Sequence, residues 1–191
     1  MDQELLQRID LIEQMVLQAR HTTQYWGWCF ALWGTGQLVA LGLSIVLPSP
    51  MLIWAIAMTA CGVATGIMIR RKRATEEKES LAFRPLLAIW CGFGISISLL
   101  SFLGQPSGAL TMRSFCAAFF VLMGFANFSS GMILRWPLQI AAGTSWWMAA
   151  ILVMFGPEKI IAWTFIAMIF LGEVVFGLYL MLREHVDRRH A

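Results

Sequence analysis

Six apolar stretches of membrane-spanning length divide this 191-residue chain, and only one ionisable residue, Glu173, lies deep inside any of them. A bilayer core about 30 Å thick is crossed by roughly 20 apolar residues in helical form. The stretches are read at 26–47, 51–69, 86–103, 115–134, 138–155 and 160–182. Lipid offers no partner to a backbone N–H or C=O, so each stretch must satisfy its own and is expected to be a helix. The alternating polar residues of a barrel strand are absent. Hydrophobic residues make up 59% of the chain and charged ones 13%, against roughly half and a quarter in soluble domains. Six spans use about 120 residues, so no second soluble domain fits. The expected fold is all-α and polytopic. Its six transmembrane helices, over 26–182, form three hairpins after an amphipathic helix over 1–25 and before a tail over 183–191.

Turn chemistry separates the spans. Pro48-Ser49-Pro50, Gly104-Gln105-Pro106-Ser107-Gly108 and Gly156-Pro157 mark the ends of the odd spans. Pro85 and Pro137 stand at first-turn positions, where a missing N–H costs little. Orientation follows from Lys and Arg. Twelve fall on the side shared by both termini, six of them between spans two and three, and only Arg113 and Lys159 on the other. Both termini are therefore expected in the cytoplasm, with the protein in the plasma membrane of a bacterium. The net charge of +3 comes from residues that topology needs, and no nucleic-acid partner is expected. The start Met1-Asp2-Gln3-Glu4 lacks the basic lead of a signal peptide.

The even spans end in a glycine followed by large apolar residues, at Gly66, Gly131 and Gly177. Either the three hairpins are repeats, as in many transporters, or membrane helices simply use these residues often. Gly62-x-x-x-Gly66 and the small residues Gly34, Gly36 and Ala40 read as faces for close helix approach. Near the N-terminus Leu5, Ile9, Ile12, Val16 and Ala19 make one apolar stripe. Its polar face carries acids as well as bases, so it is expected to pack on protein: its own bundle, a second copy or a membrane partner.

Glu173 is the first candidate site residue. It precedes Arg183 by ten residues, about 15 Å of helix, which places it near mid-bilayer. An acid at that depth costs on the order of 3 kcal/mol unless it is neutral or paired. One reading is a proton-coupling or cation-contacting carboxylate; the other is a neutral acid bonded across the bundle. Asn127 is the second, because both residues stand four before a glycine of the even spans. Trp90, Trp146 and Trp147 are deep in their spans, and indoles facing an acid can form a pocket for an apolar cation. They can equally be packing residues.

Other chemistry lacks its residues. His21, His185 and His190 lie outside the spans, and no Walker motif or metal-spaced Cys/His cluster occurs. Cys29, Cys61, Cys91 and Cys116 fall singly in four spans and imply no disulfide framework. No enzyme activity and no cofactor are expected. Two functions remain. The chain binds or transports a small ligand, cationic or lipophilic, at a site around Glu173 formed with Asn127, Trp146, Trp147 and Trp90. Alternatively it is a non-catalytic accessory or scaffold subunit that acts through helix contacts with copies of itself or a partner, within the lipid bilayer.

Overall fold

A computed structural model describes residues 27–73 and 83–189. The amphipathic helix expected over 1–25 and the start of the first span at Trp26 lie outside the described residues. Among the described residues the chain is helical apart from short turns, with no strand. Six helices among the described residues are long and apolar enough to cross a membrane, as the hydrophobic pattern requires.

The first three spans are α1 (Gly27–Val46), α2 (Pro50–Arg73) and α3 (Phe83–Leu99), the last running into a π-helical turn at Leu100–Gly104. Then follow α4 (Met112–Ile133) and α5 (Pro137–Phe155). The sixth span comprises α6 (Ile160–Ile169), a π-helical segment at Phe170–Val175 and α7 (Phe176–Arg189). The last helix therefore continues past the expected end of the span at 182. Pro50 and Pro137 open their helices, where the proline has no hydrogen bond to lose. Thr111 caps α4 by accepting from the Ser114 N–H at 3.1 Å.

The described residues fall into two compact units, one over 83–165 and one over 27–73 with 166–189. In the first unit, α4 and α5 form the tightest pair. A Cβ built on Gly131 would stand 2.7 Å from the Ile140 nitrogen, and one on Gly143 2.6 Å from the Phe128 nitrogen. Between lipid-bathed helices there is no hydrophobic drive to associate, so close backbone packing has to hold the pair. This hairpin closes through Leu134, Arg135 and Trp136, which is not one of the three connections expected to define hairpins. The Trp136 N–H donates to the Gly131 carbonyl at 2.8 Å and Arg135 sits at φ 48, a Schellman ending with arginine where glycine is usual. At the other end Arg113 reaches across and donates to the Val153 and Gly156 carbonyls at 2.8 and 2.6 Å. These carbonyls lack partners within their own helix, and a cation there suits the helix dipole. Phe93 of α3 and Phe165 of α6 complete this core against Phe119, at 5.9 and 5.4 Å between ring centroids.

In the second unit α1 packs against α2 and α7. Toward α2, Trp33 Nε1 donates to Thr65 Oγ1 at 3.0 Å and Gly36 lies against Cys61. Toward α7, Gly27 lies against Leu180, and Gly177 against Ala31. Gly62 and Gly66, expected to make a close helix contact, face open space among the described residues. Large apolar side chains such as Ile45, Val46, Phe155 and Trp163 are exposed. In water such a surface would drive aggregation; against lipid it is the natural outside of a membrane protein.

Candidate intramembrane polar site

The sixth span buries one face made of Ile169, Glu173, Phe176, Gly177 and Leu180. Glu173 belongs to the π-helical segment Phe170–Val175. Isolated π turns inside α-helices are rare and occur often at functional sites. The facing surface of α1 is Gly27, Gly34, Gln37 and Ala40, all buried. The two faces run antiparallel: Gly27 meets Leu180, Ala31 meets Gly177, and Gly34 meets Glu173 and Val174. A Cβ on Gly34 would approach the Glu173 Cβ to 2.7 Å, so glycine is what lets the carboxylate segment come this close. Phe30 and Phe176 seal one flank, edge to face at 5.4 Å.

Within this contact Gln37 Nε2 donates to Glu173 Oε2 at 2.7 Å. Both side chains are almost wholly inside, Glu173 at 2% and Gln37 at 6% exposure. The remaining oxygens, Glu173 Oε1 and Gln37 Oε1, are buried and have no hydrogen-bond partner. A buried polar atom without a partner is costly and uncommon. Both orphans are acceptors. The site can therefore accept a proton, an N–H group or a small cation. Among the described residues no three His, Cys, Asp or Glu side chains cluster, so what the pair offers is one carboxylate and one amide oxygen.

Asn127, Trp90, Trp146 and Trp147 all lie in the other unit. Asn127 is 1% exposed, and its Nδ2 donates to the Met123 carbonyl of its own helix at 3.0 Å. Trp146 is fully buried against Phe119 and Phe120, at 6.0 and 5.5 Å. Trp147 packs on Phe128 at 5.0 Å, lies against Gly124 and donates to the Val121 carbonyl at 3.1 Å. Trp90 stands edge-on to Phe93 at 5.9 Å. Within their unit each of these indoles packs on an aromatic neighbour; Trp146 is buried, whereas Trp90 and Trp147 are half-buried.

Compared with protein-family models, curated proteins and solved structures, the chain matches none. The site thus stands on its own residues. Sequence reasoning missed Gln37, the direct partner of Glu173, because it compared only the even spans, where Asn127 matches Glu173 in position, and Gln37 lies in the first span. The available signal was a lone amide on the same stripe as Gly34 and Ala40.

Proposed function

We propose that the protein binds a small cationic or lipophilic ligand at an intramembrane site around Glu173 and carries it across the plasma membrane. One observation supports this above others: a buried carboxylate shares a single hydrogen bond with Gln37, and two further acceptor oxygens there have no partner. An intramembrane acid that is merely structural needs its acceptors filled; this one keeps capacity for a cation or proton. In the proposal both termini are cytoplasmic, and the three successive hairpins are repeats of one unit in one orientation.

The test uses protein reconstituted in liposomes, with proton flux and uptake of the lipophilic cation tetraphenylphosphonium as readouts. Glu173→Gln keeps the shape and the bond to Gln37 but cannot carry charge. It should reduce both signals at least tenfold while the protein stays folded. Wild-type activity in this variant would remove Glu173 from the function.

The second reading is the accessory subunit. A shallow groove along α2, lined by Ala55, Thr59, Ala60, Val63 and Ala64 among others, supports it, since small residues suit a partner helix. Under that reading wild-type protein carries neither probe and Glu173→Gln is silent.

A further inference from the structure

The α4–α5 hairpin buries four polar side chains that the Glu173 site does not use. Asn127 and Ser130 lie on α4, and Gln139 and Trp146 on α5. None is more than 1% exposed. Each has a buried polar atom with no partner: Asn127 Oδ1, Ser130 Oγ, Gln139 Oε1 and Trp146 Nε1. The packing register places them together. Gly131 meets Ile140, Phe128 meets Gly143, and Gly124 meets Trp147, so each step along α4 is a step back along α5. Gln139 then falls opposite Met132, and Trp146 opposite Phe125, with Asn127 and Ser130 between those levels. All four share about 10 Å of hairpin at 1.5 Å per residue. Asn127 and Ser130, three apart, lie on one face of α4. Gln139 and Trp146, seven apart, lie on one face of α5.

The hydrogen-bonding character of this set selects its guest. The Asn127 amide orientation follows from its bond to the Met123 carbonyl, because the reversed amide would set two oxygens against each other. The free Asn127 atom is therefore an acceptor, as is Gln139 Oε1. The Trp146 indole is a donor only, and the Ser130 hydroxyl can do either. A bare cation satisfies acceptors but is repelled by an N–H aimed at it. A molecule that both donates and accepts suits all four, and water does so at the smallest size. We infer that the α4–α5 hairpin holds bound water in a seam lined by Asn127, Ser130, Gln139 and Trp146. This rests on neither Glu173 nor transport. It adds to the protein a second intramembrane polar site, for a neutral guest, where the Glu173 pair suits a cation.

Magnetic-resonance spectroscopy of the whole protein in deuterated-lipid nanodiscs, with ¹⁵N-labelled tryptophan, tests it. The Trp146 indole N–H is assigned by its loss in Trp146→Phe. It should show a cross-peak at the water frequency. The peak should fall at least fivefold in Asn127→Leu with Gln139→Met, with the other indole resonances kept as a check on folding. A Trp146 indole resonance that shows no water peak in the wild-type protein overturns the inference. So does a Trp146 resonance that moves between sodium and potassium but never correlates with water, which would assign the seam to a cation.

Discussion

Glu173, Gln37 and Gly34 act as one unit, and each can be judged by what its loss leaves behind. Glu173→Gln preserves an acceptor for the Gln37 amide, so its effect on stability should be small. Glu173→Leu strands the buried Gln37 Nε2, now bonded at 2.7 Å, and should destabilise by about 1–3 kcal/mol. Gly34→Ala acts through space alone: the new methyl would meet the Glu173 Cβ at 2.7 Å and Val174 Cγ2 at 2.9 Å. Both atoms sit close to the backbone of a packed helix, so the expected cost is about 1–3 kcal/mol. Thermal unfolding in mild detergent ranks the three. A ranking with Glu173→Gln as the worst would mean that the carboxylate, and not its hydrogen-bonding shape, holds the contact. The burial of Glu173 was legible in the sequence, because an acid among apolar residues needs no neighbour to be conspicuous. Its partner was not, since Gln37 lies 136 residues away in the chain and only tertiary packing selects it.

The helices end where local chemistry stops them, and two of those ends use arginine. Arg113 closes the end of α5 through the carbonyls of Val153 and Gly156. This gives a structural use to one of the few basic residues on the side expected to face outward. Arg135 holds φ 48 at the close of α4, a conformation that costs a residue with a Cβ roughly 1 kcal/mol. Arg135→Gly should therefore raise stability by about 0.5–1 kcal/mol, measurable as a higher Tm in detergent. A lower Tm would show that the arginine side chain makes a contact worth more than the backbone strain. Proline positions and the six spans were readable from the residues, because length, hydropathy and missing N–H groups act locally. The π-helical segment around Glu173 was not, since nothing in Phe170-Leu171-Gly172-Glu173 distinguishes a wide turn from an ordinary one. Gly62 and Gly66 meet no helix of their own chain among the described residues, because small residues permit close approach but do not choose which helix, or which copy, comes near.

For the whole molecule, the distribution of Lys and Arg, twelve on one side against two on the other, predicts cytoplasmic termini. Single cysteines at Ser49, Ser107 and Glu158, in a background free of native cysteine, should react with an impermeant maleimide from outside intact cells. Reaction only after the cytoplasmic face is opened would invert the assignment. Chain order suggested hairpins joined at the outer turns, whereas the closest pair is α4 with α5, joined at the opposite side. Backbone contact at Gly131 and Gly143 explains this, and spacing along one helix could not reveal it. In the proposed function the Glu173 carboxyl exchanges a proton or cation within the membrane. Infrared difference spectroscopy of the reconstituted protein, with and without tetraphenylphosphonium, reads that carboxyl directly. The carboxyl bands should change when tetraphenylphosphonium is added, and Glu173→Gln should abolish that change; an identical difference spectrum in the variant rules out a role for this carboxyl.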